Sequence, residues 1–256
     1  MNAPPTEQEI AIAVRGIGKS FGEKKIYEKL DLDVRRGETL TILGPSGTGK
    51  SVLLKLIIGL LTPDCGSILA GGVEVVGLDE RALRPVRKKV AMLFQGAALF
   101  DSMTVGDNIA YGLREQGEAT DEVIRARVAE CLEWVGLAGN EAMAPASLSG
   151  GMKKRVGLAR ALAPGPEIIL YDEPTTGLGP SNARRINELI ISLQEKLHVT
   201  SLVITHDMGS AFEISDRVAL VEDFRIDLIL DAAEAEKSPP PQLKKFIEGH
   251  ADGESQ

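Results

Sequence analysis

Eight consecutive residues, Gly44-Pro-Ser-Gly-Thr-Gly-Lys-Ser51, constrain this chain more than any other stretch. They fit the pattern G-x-x-x-x-G-K-[ST], a loop that cradles phosphate. The run Thr39 to Leu43 before it is short, apolar and β-branched, which predicts a buried strand. Ser51 to Leu60 after it predicts a helix. Gly44, Gly47 and Gly49 let the backbone of a loop that also holds Pro45, Ser46 and Thr48 turn tightly, so that its N–H groups, which Pro45 lacks, surround phosphate oxygens. The new helix adds its partly positive N-terminus. Lys50 would then reach the β- and γ-phosphates, and the Ser51 hydroxyl would ligate magnesium. A glycine-rich turn in an unrelated α/β protein is the bland alternative, and it leaves the flanking strand and helix unexplained.

A chain of 256 residues, 43% of them apolar, suits one large α/β domain or one domain with an inserted subdomain. Its net charge of −8 argues against a broad basic face, so no nucleic-acid partner is expected. Cys65 and Cys131 have neither metal-ligand spacing nor enough company for a disulfide framework, and read as core or surface thiols in a reducing compartment. The N-terminus has no basic-then-apolar signal region. The greasiest stretch, Val52 to Leu61, is interrupted by Lys55 and too short to span a bilayer. The expectation is a soluble intracellular chain that meets a membrane only through a partner.

Residues 1–8 read as a loose leader. Ile10 to Phe21 and Lys29 to Val34 alternate like antiparallel strands. Phe21, at the end of the first, is either core or an aromatic platform for an adenine ring. Ser67 to Val76 reads as a hairpin around Gly71-Gly72, Arg81 to Lys89 as a basic surface stretch, and Val90 to Phe94 as a buried strand ending at Gln95. From Gly96 the pattern turns helical. Thr120 is a good N-cap, Ile124, Val128, Cys131, Leu132 and Val135 line one face, and Gly136 stops the helix. A further helix runs from Ser149-Gly150-Gly151 to Leu162. Then strands at Glu167 to Tyr171, Thr200 to Thr205 and Arg217 to Val221 alternate with helices, one of them carrying Ile186, Leu189, Ile190, Leu193 and Leu197 on one side. This alternation predicts an α/β fold whose core sheet is mostly parallel. The whole becomes one domain over 8–231, with an N-terminal antiparallel β subdomain and an inserted α-helical subdomain at about 96–165. Residues 232–256, rich in Ala, Glu, Lys and Pro, read as a linker and tail, with a small basic-amphipathic piece at Gln242 to Ile247.

A second nucleotide element is Ile168-Ile-Leu-Tyr-Asp172-Glu173. A hydrophobic strand that ends in an acid is the expected partner of a phosphate loop. Asp172 would hold magnesium and Glu173 would orient or deprotonate water. The alternative is two acids at an ordinary strand exit.

The third element resembles a family signature. Leu148-Ser149-Gly150-Gly151-Met152-Lys-Lys-Arg-Val-Gly-Leu-Ala-Arg160-Ala-Leu is similar to the signature of ATP-binding cassette (ABC) ATPases. The resemblance extends over about residues 10–230, with Phe21 at the A-loop place, Gln95 at the Q-loop, Pro174 to Leu178 leading into the D-loop, and His206 as the switch histidine. It implies a P-loop ABC nucleotide-binding domain that binds ATP and magnesium and works as a head-to-tail homodimer. Gly44 to Ser51 of one copy would face Ser149, Gly150, Gly151 and Met152 of the other across each γ-phosphate. The catalytic set it implies is Lys50, Gln95, Glu173 and His206, and the metal set is Ser51, Gln95 and Asp172. His198 and His250 have no such context and read as surface residues. Two positions depart from the family pattern: Met152 stands where many members carry Gln, and Gly179 stands where the D-loop has Asp.

A narrower likeness is to the ATPase subunits of Mla-type, Mce-associated lipid transporters. Met92 to Asp101, Asn108 to Glu115, Gly150 to Ala161 and Lys244 to Gly249 carry it. It implies a chain at the cytoplasmic face of a bacterial inner membrane that powers phospholipid movement between membranes. Its partners would be a transmembrane permease, through which alone it touches the membrane, and an Mce-type lipid-binding protein. Leu99 and Phe100 would line the groove for a permease helix, or else belong to the subdomain core. Two rivals are an ABC importer or exporter subunit for another substrate, and a non-transport ABC protein of DNA repair or translation. The second lacks support here, since neither a long coiled-coil insertion nor a second cassette is present.

Overall fold

The computed structural model describes residues 9–253, apart from positions 46 and 118, and of residues 249–253 only the backbone. The leader, Ser46 and the His250 side chain therefore lie outside the described residues.

Alternation in Ile10 to Phe21 produces β1 (Ile10–Phe21), which pairs antiparallel with β2 (Lys24–Arg35). Ile12, Val14 and Ile17 are fully buried on the inner face. The pattern predicts a second strand starting at Lys29, whereas β2 starts at Lys24. Lys29 has φ +54°, at a register shift that moves the partner of Ile17 to Leu30 but that of Lys19 to Tyr27. Such a bulge flips the side-chain alternation, and so Ile26 and Tyr27 are both buried. On the other edge of β1 lies β4 (Cys65–Ala70), which turns through Gly71 and Gly72 into β5 (Val73–Glu74).

The second sheet holds β3 (Thr39–Leu43), β6 (Val90–Leu93), β7 (Ile168–Asp172), β8 (Thr200–Ile204), β9 (Arg217–Glu222) and β10 (Arg225–Asp231). Its order is β10-β9-β3-β8-β7-β6, with only β10 antiparallel to its neighbour. Every residue of β3, β7 and β8 is buried, as expected of parallel strands covered on both faces. One face packs with α1 (Lys50–Ile57) against the inner side of the antiparallel sheet. The other face meets α3 (Val105–Gln116), α4 (Asp121–Trp134), α5 (Gly150–Leu162) and α6 (Pro180–Leu197). Between β5 and β6 lies the short α2 (Arg84–Lys89), and α7 (Met208–Ile214) joins β8 to β9.

Helix ends follow local chemistry. Thr120 caps α4 by accepting from the Val123 N–H at 3.4 Å. α1 stops at Ile57, short of the expected Leu60, because Gly59 (φ +68°) closes it. There the N–H groups of Gly59 and Leu60 donate to the carbonyls of Leu56 and Lys55 at 3.1 and 2.8 Å, a Schellman closure. Leu197, expected on the buried side of α6, is its last residue and is exposed.

Two elements escaped the pattern. Asp223 and Phe224 both have positive φ and fold the chain back into β10, without the Gly or Asn that marks such turns. The stretch read as a linker from 232 instead forms α8 (Ala232–Lys237), and the basic-amphipathic piece after it lies within α9 (Pro241–Gly253). Asp231 caps α8 through the Glu234 N–H, and Ala232, Ala235 and Leu243 are buried against Leu43, Ala211, Val218 and Leu220. Alanines are small enough to pack closely, which composition alone does not distinguish from a solvated linker. Cys131 is buried, Cys65 is exposed, and both are free. Among the described residues no helix is long and apolar enough to cross a membrane.

Candidate nucleotide site

The carboxyl ends of β3, β6, β7 and β8 deliver the phosphate loop, Gln95, Asp172-Glu173 and His206 to one edge of the sheet. Ligands of open parallel sheets bind in the crevice beyond those ends. Here a cavity of about 590 Å³ is lined by Phe21, Lys24, Ile26, Gly47, Gly49, Lys50, Ser51, Val52, Gln95, Glu173, Thr176 and His206. The β1–β2 hairpin supplies one wall and the parallel sheet the other.

The loop is shaped by its glycines at two places. Gly47 has φ +82° and faces open space. Gly49 has φ +94°, and a Cβ there would stand 2.2 Å from Ile26 Cγ2. The buried Tyr27 hydroxyl donates to the Gly49 carbonyl at 2.8 Å and pins it, and burial pushes that phenol well above its ordinary pKa. Gly49 caps α1 without a side-chain bond, so the orphan N–H groups of the first turn belong to residues that line the cavity. Lys50 is buried, and its ammonium donates to the carbonyls of Gly44 and Pro45 at 2.6 and 2.9 Å. Burial lowers its pKa, while Glu173 and Asp172 pull the other way.

Ser51 and Asp172 meet across the site, the serine hydroxyl donating to Oδ1 at 2.6 Å. Burial raises the Asp172 carboxyl pKa, and the Ser51 bond opposes that shift. A hydroxyl and a carboxylate side by side are hard oxygen donors of the kind that would hold magnesium. The exposed Gln95 borders the same cavity. Among the described residues no group of three or more His, Cys, Asp or Glu could hold a metal by itself.

Glu173 has φ +50° although it is not glycine. Its N–H donates to the Ile204 carbonyl at 2.9 Å, and its own carbonyl accepts from Lys154 Nζ at 3.0 Å. Its Oε2 accepts from the Thr176 hydroxyl at 2.8 Å and lies 2.8 Å from His206 Nδ1. A carboxylate fixed by a hydroxyl and an imidazole at the rim of an anion cradle is placed to orient water or accept its proton. Lys154 is buried, which lowers its pKa, with Asp172 first and Glu173 second opposing.

Sequence reasoning missed Tyr27, Thr176 and Lys154. Tyr27 sits behind the bulge, where the alternation misleads. Lys154 stands in the basic run Lys153-Lys154-Arg155, to which the sequence reading gave no separate role. The signal in it was the spacing of Lys154 to Leu158, four residues apart on the buried side of α5.

Phe21 is 46% exposed, lines the cavity, and carries the Lys19 ammonium 5.1 Å from its ring centre, so it is not core. Ser149 caps α5 by accepting from the Met152 N–H at 3.3 Å. Ser149, Gly150, Gly151 and Met152 do not line the cavity of their own chain. Gly151 instead backs onto α6, where a Cβ would lie 2.9 Å from the Asn182 side chain. Gly179 caps α6 at φ −70°, ψ 161° and has open space around it. Leu99 is half-buried against the helical core, while Phe100 is exposed, with its ring 5.0 Å from that of Tyr111. His198 is exposed at the end of α6.

Residues 27–176 match the family model described as ABC transporter. The chain is 39% identical over 242 residues to the intermembrane phospholipid transport system ATP-binding protein MlaF of Haemophilus influenzae, covering 94% of this chain and 92% of that protein. It is 41% identical over 246 residues to the probable ribonucleotide transport ATP-binding protein mkl of Mycobacterium leprae, covering 95% of this chain and 70% of that one. Among solved structures it resembles the ATP-binding cassette MJ0796 in a dimeric post-hydrolysis state bound to ADP and Pi. That pair has a TM-score of 0.79 at 30% identity, covering 86% of this chain and 98% of the other.

Proposed function

We propose, for a chain that belongs to the ABC transporter family, that it is the ATP-hydrolysing subunit that powers phospholipid transport between bacterial membranes. The observation that carries the substrate class is the match to MlaF, which spans 92% of that relative at 39% identity. A ribonucleotide is the second reading, since the mkl relative is as similar in identity but matches over only 70% of its length. Co-purification with its permease and reconstitution in vesicles separates the two. Transfer of a fluorescent phospholipid driven by ATP is expected, with no ATP-driven uptake of ribonucleotides. Ribonucleotide uptake without lipid transfer would reverse the assignment.

In this reading two copies pack head to tail. The exposed Ser149 and Gly150 and the N-terminus of α5 meet the γ-phosphate held by the partner copy's loop, which accounts for their absence from their own cavity. Phe21 stacks on adenine, Lys50 and the α1 N-terminus hold phosphates, and Ser51, Asp172 and Gln95 hold magnesium. Magnesium, when bound, neutralises charge on the β- and γ-phosphates. Glu173 takes the proton of the attacking water, and His206 supports both the glutamate and the γ-phosphate. The chain sits at the cytoplasmic face of the inner membrane through its permease, with an Mce-type lipid-binding protein as a further partner. The exposed Phe100–Tyr111 pair, together with the half-buried Leu99, accepts a permease helix.

Gly179 tempers the coupling between the two sites. Its backbone suits any residue and its surroundings are empty, so Gly179→Asp is accommodated. Gly and Asp differ by only a few tenths of a kcal/mol at an N-cap, and any change in turnover is then not a stability effect. The expected result is a higher ATPase Hill coefficient in Gly179→Asp. An unchanged rate and Hill coefficient would reject this role for the position.

A further inference from the structure

Glu173 occupies a backbone conformation that its own chemistry disfavours. A positive φ is uncommon outside glycine, and the next residue is Pro174, which biases its predecessor toward extended backbone. Holding such a residue costs about 1–3 kcal/mol, which the surroundings must offset. Three bonds hold the backbone of Glu173: the Thr176 N–H donates to its carbonyl at 3.3 Å, and two stronger bonds clamp it from opposite sides. Ile204, on β8, takes its N–H, and Lys154, in the second turn of α5, donates to its carbonyl at 3.0 Å.

The lysine is an expensive choice for that clamp. It is only 6% exposed, and among the described residues no carboxylate lies within ion-pair distance of it. Burying an ammonium is unfavourable unless it is bonded, and a hydrocarbon of similar shape would pack at lower cost. The bond to the carbonyl is therefore what the ammonium supplies.

We propose that Lys154 is a positioning residue that fixes the Glu173 backbone, so that the carboxylate reaches Thr176, His206 and the attacking water. The inference rests on reading Glu173 as the water-activating group. It also links two parts of the machine. Lys154 lies five residues after Ser149, roughly 7.5 Å along the same helix. A shift of α5 when its N-terminus engages the partner copy's nucleotide reaches the glutamate through one bond.

The test compares Lys154→Met, Glu173→Gln and wild type in the full chain co-purified with its permease. Met keeps the length and apolar packing of lysine and removes the donor. A bond from a charged donor accounts for about a tenfold to hundredfold change in rate. Lys154→Met is expected to lose that much in kcat, with KM for ATP within about twofold. ATP-dependent dimerisation, followed by light scattering, and the melting temperature should hold. A merely structural lysine would instead weaken dimerisation, raise KM or lower the melting temperature, and any of these overturns the inference. A kcat within twofold of wild type also overturns it. If Glu173→Gln abolishes turnover while Lys154→Met does not, only the lysine's role fails. If Glu173→Gln turns over normally, the reading of the glutamate fails first.

Discussion

Replacing Glu173 with glutamine is expected to slow ATP hydrolysis about a thousandfold while ATP affinity changes little. The magnitude follows from removing a positioned base, an effect of roughly 10² to 10⁴ in rate. The amide is nearly isosteric and can still bond Thr176 and His206, which hold Oε2 at 2.8 Å each. The backbone clamps on the residue are untouched, since they engage its N–H and carbonyl. Stability should therefore hold, and the variant should collect as an ATP-bound dimer that light scattering detects. Hydrolysis near the wild-type rate would show that water is activated by another group. His206, the other titratable side chain in contact with that carboxylate, would be the next to replace.

Much of this site was legible because its chemistry is local in sequence. A phosphate cradle needs glycines at fixed offsets, and Asp172-Glu173, Gln95 and His206 each follow a buried strand, so parallel topology alone carries all of them to one edge. What escaped depends on contacts between distant segments. Tyr27 pins Gly49 across 22 residues, and its burial arises from the irregularity at Lys29, which no alternation rule anticipates. Lys154 looks solvated beside Lys153 and Arg155 until α5 is seen with that side against the parallel sheet. The helices after Asp231 were only partly legible, for a different reason. Ala, Glu and Lys form linkers and helices alike, and docking decides between them: here Leu243 and two alanines find an apolar surface beside α7 and β9. Ser149 to Met152 lie outside the cavity of their own chain, and only the family likeness gave them a site role, because the head-to-tail pairing proposed for them leaves no trace in the order of one chain.

The glycines separate backbone strain from crowding, and Gly49→Ala should do the greater damage of the pair that follows. At φ +94° an alanine is strained, and its methyl carbon would lie 2.2 Å from Ile26 Cγ2, a separation no side chain tolerates. Ile26 is itself buried beside Tyr27, so it has little room to retreat. Strain of about 1–3 kcal/mol and overpacking of similar size together predict a loss of about 2–5 kcal/mol. For a chain of this size that lowers the melting temperature by roughly 5–15 °C. Relief by moving the loop would carry the Gly49 carbonyl off the Tyr27 hydroxyl and turn the α1 N-terminus away from the phosphates. ATP affinity should consequently fall by about a hundredfold or more, as read by nucleotide titration. Gly47→Ala is the control. It shares the positive φ, at +82°, but has open space around it, so it should pay only the strain, about 1 kcal/mol. Equal melting temperatures for the two variants would mean that Ile26 yields and that the hairpin wall is not what shapes the loop. A wide gap between them would place the rigidity of the phosphate cradle in the contact between Gly49 and the β1–β2 hairpin, outside the eight residues that announce it.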